Sequence, residues 1–332
     1  MSASPSVESL RPSAVEAVVA ASRVCREVQQ RLVAGSALQK GDKSPVTVAD
    51  FAAQAIVSHM LAEVAPGIPM VGEEDAAALR DADNADLADK VVACVQAVLP
   101  SLSRDAVLAA IDRGTFEGGG DGRYWVLDPI DGTKGFLRMD QYAVALGLID
   151  KGEVVLGVLG CPNMAASEDD GAETGCIFVG VKGQGAFQRG VDNAVEVQVF
   201  VDPVAKAADA RFCESVEKAH TSQSHSALVA ELLGISAPPF RIDSQCKYAA
   251  VARGDAAVYL RLPTRPGYVE KVWDHAAGVA VVTEAGGTVT DVDGKPLDFS
   301  LGRGLTQNKG VIVTNGRFHD EVVAAVKQVL GR

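Results

Sequence analysis

The chain lacks an excess of positive charge. Against 31 lysines and arginines stand 43 acidic residues, for a net charge of −12 over 332 residues. A surface of that sign repels a polyanion and argues against an electrostatic nucleic-acid binder. A small anionic substrate stays compatible, provided that metal ions or local basic residues supply the attraction. No apolar run reaches the roughly 18 residues of a membrane span, so no membrane partner is expected. The opening MSASPSVESLRPS lacks the apolar core of a secretion signal. The six cysteines, at positions 25, 94, 161, 176, 213 and 246, include no CxxC and no zinc-type spacing. They fit a reducing intracellular compartment: the cytoplasm, or a chloroplast or mitochondrion where an N-terminal address has been trimmed. There is no internal repeat, no low-complexity tract and no arrangement that reads as a Ser-His-Asp triad.

What is present is enough apolar residue, 48%, for two packed layers or two domains. Ser13-Ala14-Val15-Glu16 has the form of a capping box ahead of a helix that Gly35 ends. Thr47 to Asp50 reads as a second cap, with Asp50 in the first turn of a helix through about Val64. A short strand, Ile68 to Val71, ends in Gly72-Glu73-Glu74. A third helix covers Ala85–Val98, and Tyr124–Leu127 is a strand. Tyr142–Ile149 and Glu153–Gly160 form a hairpin turned by Asp150-Lys151-Gly152. Cys176–Val181 and Ala186–Gln188 pair as strands. From Ala205 the texture changes to alternating strands and helices. The pattern predicts an α+β unit over residues 1–195 followed by an α/β unit over 196–332.

The stretch WVLDPIDGTKGFLR, Trp125 to Arg138, puts two carboxylates, Asp128 and Asp131, side by side at a strand's end. Like charges that close repel unless a cation lies between them. Glu73 also follows an apolar strand, and Asp274 stands ahead of a helix as its cap. Strand ends and helix starts gather at sheet edges, where ligand sites form in α/β proteins. Singly, Asp274 reads as a structural cap, the Glu73-Glu74-Asp75 turn as solvated surface, and DPxDG as either an acidic turn or a cation bed. The conjunction and its chain order carry the signal.

Taken together, Gly72-Glu73-Glu74, DPIDGT at 128–133 and Trp273-Asp274-His275-Ala276-Ala277-Gly278 resemble the magnesium-dependent, lithium-sensitive phosphatases of the inositol monophosphatase superfamily. The stretches SPVTVADFAAQAIV, VEKAH, RIDSQCKYAAVARGDAAVYLRLP, EKVWDHAAG and TEAGGTVTDVDGKPLDF are closer to its 3′(2′),5′-bisphosphate nucleotidase branch, plant-type members above all. The likeness spans roughly residues 10 to 330. It implies a layered αβαβα sugar-phosphatase-like fold with two sheets. It further implies two or three Mg²⁺ ions held by Glu73, Asp128, Asp131, Asp274 and the carbonyl of Ile130, with Asp128 as the bridge. Magnesium takes oxygen ligands in octahedral geometry and neutralises a phosphoryl group under attack by water.

By the same resemblance, Asp50 pairs with the Thr133 hydroxyl to draw a proton from the attacking water. The N–H groups of Gly132 and Thr133 cradle the phosphate. His220, Ser244, Lys247 and Arg261 hold the rest of a bisphosphate nucleotide; taken without the resemblance they read as surface charge and satisfied polar core. The implied reaction is removal of the 3′-phosphate of adenosine 3′,5′-bisphosphate, giving AMP and phosphate. 3′-Phosphoadenylyl sulfate is the second substrate and sulfate assimilation the setting. An inositol polyphosphate 1-phosphatase and a non-catalytic nucleotide sensor are the alternatives, and the protein is expected as a monomer or homodimer. Cys161 follows one strand and Cys176 opens the next. If these strands are antiparallel neighbours, the two lie within disulfide reach, and the plant-type likeness makes them a candidate redox switch.

Overall fold

The computed structural model describes residues 5–34, 44–169, 171–216, 223–263, 265 and 267–332. Ser6 opens the first helix, its hydroxyl accepting the Ser9 N–H at 3.2 Å. This helix, α1 (Val7–Ala34), therefore starts ahead of the box at Ser13 and carries Pro12 inside it. Leu10 is fully buried, and that burial offsets the one backbone bond that Pro12 cannot donate. α2 (Ser44–Val64) likewise begins before Thr47, which places Asp50 almost two turns inside the helix rather than in its first turn. The favourable field of a helix start is confined to the first turn and does not support its charge.

β1 (Met70–Gly72) leads into the Glu73-Glu74 turn, and α3 (Ala85–Val98) has the bounds that its periodicity predicts. The sequence pattern does not announce α4 (Arg104–Asp112). Its signal is Ser103, whose hydroxyl accepts the Ala106 N–H at 3.2 Å, ahead of the buried Val107, Leu108 and Ile111. β2 (Arg123–Asp131) does not stop before Pro129 but runs through the acidic motif. The short α5 (Thr133–Leu137) follows it. β2 pairs with β3 (Ala143–Asp150) as Asp128↔Ala145 and then Asp131↔Ala143, so one extra residue is bulged out between the two aspartates. Pro129, with no N–H to lose from the ladder, sits in that bulge.

β3 and β4 (Glu153–Ala165) form the expected hairpin. Lys151 and Gly152, at φ 54° and 80°, take the left-handed conformations of its two-residue turn. β5 (Thr174–Val181), β6 (Gly185–Gly190) and β7 (Val197–Val199) complete a seven-stranded sheet in chain order, antiparallel except for β1 with β2.

The second sheet comes from β8 (Phe212–Glu214), β9 (Phe240–Arg241), β10 (Val258–Arg261), β11 (Thr288–Thr290) and β12 (Val311–Thr314), in the order β11-β12-β10-β8-β9. α6 (Gln223–Leu233) lies between β8 and β9, α7 (Cys246–Arg253) between β9 and β10, α8 (Ala276–Glu284) between β10 and β11, and α9 (His319–Val329) at the end. α1 and α2 pack on one face of the first sheet, and α7 and α8 on its other face. α7 and α8 also meet the second sheet, whose far side carries α9 with α6 against it. The five layers alternate helix, sheet, helix, sheet, helix. β3 is buried along almost its whole length because helices cover both of its faces. Among the described residues no helix is long and apolar enough to cross a membrane.

Candidate active site

The end of β1, the bulge of β2, the start of α7, the end of β10 and the approach to α8 converge on one cavity of about 240 Å³. Glu73, Asp128, Ile130, Asp131, Gly132, Thr133, Ser244, Lys247, Arg261 and Asp274 all line it. His220 lies outside the described residues. Asp50 is buried and is not among the lining residues, and no hydrogen bond joins it to Thr133 in this structure.

Each acid is held by its own device. Glu73 follows a turn stapled from α2: Gln54 donates to the carbonyls of Glu74 at 2.6 Å and Ile111 at 2.9 Å, and accepts the Glu74 N–H at 3.1 Å. Arg303 adds a bond to the Gly72 carbonyl at 2.6 Å. The bulge turns Asp128 and Asp131 toward the cavity. Ile130, 1% exposed, sends its side chain into the core, so its main chain meets the cavity. The Gln245 N–H donates to Asp131 Oδ2 at 2.5 Å, tying α7 to the bulge. Asp274 does not cap α8. It ends a 3₁₀ turn, His275 occupies the cap position, and neither side chain bonds the helix N-terminus. Asp274 Oδ2 instead accepts from Arg261 Nη2 at 3.0 Å.

The electrostatics are those of crowded, buried like charges. Burial first, then Glu73, Asp131, Asp274 and Asp50, push the Asp128 carboxyl well above the usual range. Glu73 is pushed up to about 7 by burial, Asp274 and Glu74. Burial, Glu74 and Glu73 raise Asp50. Asp131 is raised by burial and Asp274 and pulled back by Lys247 and Arg261. Asp128 Oδ1 is buried with no hydrogen-bond partner among the described residues. An orphaned carboxylate oxygen among four converging carboxylates and a main-chain segment is an all-oxygen donor set, and it fits a hard divalent cation such as Mg²⁺. A tighter trio, Glu270, Asp274 and His275, also brings its ligand atoms within 4.8 Å of one another. The Arg261 guanidinium already bonds two of these groups, and a cation there would face its charge.

Opposite the acids stands a cation. Lys247 is 6% exposed. Its ammonium lies 5.2 Å from the centre of the Tyr259 ring and makes no ion pair among the described residues. Burial lowers its pKa. Ser244, at φ 64°, closes the loop before α7, and its hydroxyl accepts the Cys246 N–H at 3.2 Å. Glycine suits position 132: it holds φ 94°, and a Cβ would stand 2.8 Å from that of Ser244.

With this geometry in place, the chain can be set beside known proteins. The profile described as "Inositol monophosphatase family" matches residues 6–330. The chain belongs to the inositol monophosphatase family. It is 47% identical over 334 residues to the Arabidopsis thaliana protein named 3′(2′),5′-bisphosphate nucleotidase 1, covering 95% of this chain and 94% of that one. An Oryza sativa 3′(2′),5′-bisphosphate nucleotidase is 44% identical, covering 96% and 93%. Among solved structures, an IMPase from Thermotoga maritima superposes with a TM-score of 0.64 at 20% identity, covering 98% and 99%. The inositol monophosphatase of Anabaena gives 0.63 at 21%, covering 97% and 96%. The family's layered fold is thus the fold of this chain.

Several residues that build the site are not among those read from the sequence. Gln54, Arg303 and Gln245 hold the acids; Asp243 and Tyr259 line the cavity; Glu270 pairs with Arg261 at 2.8 Å. Their only signal was position, a few residues from a motif or on its helix.

Cys161 and Cys176 are direct cross-strand partners in β4 and β5. Such partners have Cα atoms about 4.5–5.5 Å apart, inside disulfide reach. Both are free thiols, and both are fully buried. Burial pushes the Cys176 thiol up to about 11 and, together with neighbouring Cys246, raises Cys161 well above the usual value.

Proposed function

We propose that this protein is a magnesium-dependent 3′(2′),5′-bisphosphate nucleotidase. It removes the 3′-phosphate of adenosine 3′,5′-bisphosphate to give AMP and phosphate, acts also on 3′-phosphoadenylyl sulfate, and so clears a by-product of sulfotransfer. The observation that carries this reading is the pairing, in one cavity, of an acidic bed with a buried ammonium at Lys247 that makes no ion pair among the described residues. The bed suits a metal-bound phosphoryl group. Lys247, with Ser244 and Arg261 beside it, suits a second anion, which a monophosphorylated polyol lacks. The names of the relatives at 40–47% identity support the same substrate.

Glu73, Asp128, Asp131, Asp274 and the Ile130 carbonyl would hold the magnesium. When bound, it supplies charge neutralisation on the phosphoryl oxygens and a more acidic water. The chain's own residues do the rest. The Gly132–Thr133 main chain takes the phosphoryl oxygens and the Thr133 hydroxyl orients the water. Asp50, its pKa raised behind the acids, would take the proton through Thr133 once the two come within hydrogen-bond reach. The two units proposed around residue 195 share this work: Glu73, Asp128 and Asp131 precede it, and Asp274 and the anion-binding residues follow it.

Phosphate release is measured by malachite green with adenosine 3′,5′-bisphosphate and inositol 1,4-bisphosphate side by side, with magnesium, with EDTA, and with added lithium. The expected result is magnesium-dependent, lithium-inhibited release that favours the nucleotide. Preference for the inositol ester, or no turnover of either, overturns the reading.

A further inference from the structure

A chain of buried polar groups runs behind the cavity and ends on Arg261. Tyr248 on α7 reaches His275 ahead of α8, its hydroxyl 2.7 Å from Nδ1. His275 Nε2 lies 3.2 Å from Glu270 Oε2. The same Glu270 oxygen forms an ion pair with Arg261 Nε at 2.8 Å. Tyr248 is 1% exposed and His275 0%. The carboxylate can only accept, so His275 carries its proton on Nε2, and Nδ1 accepts from the tyrosine hydroxyl. The donors then point one way along the chain: Tyr248 to His275, and His275 to Glu270.

The sequence makes room for this chain. Gly278 sits against the Tyr248 ring, and a Cβ there would stand 2.3 Å from it. Tyr248 also packs edge-on to Tyr259, with ring centres 5.4 Å apart. These contacts hold the Tyr248 ring in place.

Arg261 needs such a support. It is the last residue of β10, paired with Val311, and its Nη2 bonds Asp274, a carboxylate of the acidic bed. Without Glu270, that acidic bed would be the nearest partner for the whole guanidinium. With the Glu270 ion pair at Nε, the guanidinium is held between two carboxylates, and its Nη2 also lies 3.5 Å from the Tyr268 hydroxyl. The Nη1 hydrogens make no bond among the described residues. A planar fork fixed on two sides and open on the third is suited to an incoming phosphate.

We infer that Glu270, braced by His275 and Tyr248, is a positioning residue that orients Arg261 for the second phosphate and so sets the preference for a bisphosphate over a monophosphate. The inference rests on the proposed function, in which Arg261 meets that phosphate. Glu270 does not line the cavity and touches no reacting atom; it acts through Arg261.

The test compares kcat/KM for adenosine 3′,5′-bisphosphate and adenosine 3′-monophosphate in wild type, Glu270→Gln, Arg261→Ala and the double variant. Losing an oriented, charge-assisted contact should lower the ratio by about tenfold in Glu270→Gln, through KM of the bisphosphate and with kcat little changed. Arg261→Ala should lower it at least as far, and the double variant no further than Arg261→Ala alone, because both act through one guanidinium. A normal ratio in Glu270→Gln beside a lowered one in Arg261→Ala overturns the positioning role and leaves the phosphate reading standing; so do effects that multiply in the double variant. An unchanged ratio in Arg261→Ala overturns both. Should Glu270→Gln not fold, Tyr248→Phe keeps the ring and removes only the hydroxyl. A few-fold fall in its ratio supports the inference, and an unchanged ratio overturns it.

Discussion

Asp128→Asn is expected to stabilise the metal-free protein while abolishing turnover. Asp128 is 2% exposed, and its Oδ1 lacks a partner among the described residues. Burial and four neighbouring carboxylates push its pKa up. Glu73, in the same acidic bed, shows what a carboxylate costs there: burial, Asp274, Glu74 and Asp131 carry its pKa from 4.5 to about 7, against a hydrogen bond with Asp128 that lowers it. At about 1.36 kcal/mol per pH unit, that is a ceiling of about 3.4 kcal/mol. The Glu73 side chain stands at the solvent-exposed rim of the cavity, where screening reduces the figure to about 1–2 kcal/mol.

Because the folded-state pKa lies above the unfolded one, the folded chain holds the extra proton between them. The contribution of Glu73 to metal-free stability is therefore full below about pH 4.5 and is lost as pH rises through about 7. Asp128 contributes in the same direction. An asparagine at 128 removes one of the repelling charges and offers Glu73 a donor. In EDTA at pH 7.5 a gain of about 1–2 kcal/mol would raise the melting temperature of the variant about 1.5–3 °C above wild type. Magnesium at a hundred times its dissociation constant adds about 2.7 kcal/mol to the wild type and much less to the variant. Thermal melts from pH 5 to 8, with EDTA or magnesium, would show both effects beside a phosphate-release assay. A variant that melts below wild type in EDTA, or gains as much from magnesium, would refute the reasoning, as would retained activity.

Gly132→Ala should keep the fold but raise the KM of the bisphosphate, since the new Cβ meets Ser244 at 2.8 Å and the left-handed backbone adds about 1–2 kcal/mol of strain; a normal KM would mean that this loop yields freely. Lys247→Ala and Arg261→Ala should each cost about 1.5–3 kcal/mol in binding the bisphosphate, seen in steady-state kinetics as a rise in KM larger than the fall in kcat. Mild oxidation should join Cys161 to Cys176 only slowly at neutral pH, because burial keeps both thiols protonated. A non-reducing peptide map with parallel rates on wild type and Cys161→Ser decides between a switch and two structural thiols: a cross-link that changes the rate supports the first, and free thiols or a silent cross-link the second.

Much of this architecture is local and therefore legible in the sequence. The bounds of α3, the β3–β4 hairpin with its Lys151-Gly152 turn, and the strand ends that deliver Glu73 and Asp128 follow from periodicity and turn chemistry acting over a few residues. The acids at 73, 128, 131 and 274 were recognisable because short motifs carry them. Tertiary packing decided what those signals left open. Burial of Leu10 extended α1 past Pro12, and pairing with β3 carried β2 through Pro129 with a bulge, where the apolar run alone ended at Leu127. Asp274 looked like a cap in isolation, but Arg261, thirteen residues earlier, claimed its carboxylate. Lys247 reads as surface charge until α7 is placed between two sheets, where it becomes a buried cation. The bonds from Tyr248 through His275 and Glu270 to Arg261 join groups on α7, β10 and the segment before α8. No periodicity encodes such a contact, because only the stacking of the layers brings these side chains within hydrogen-bond distance.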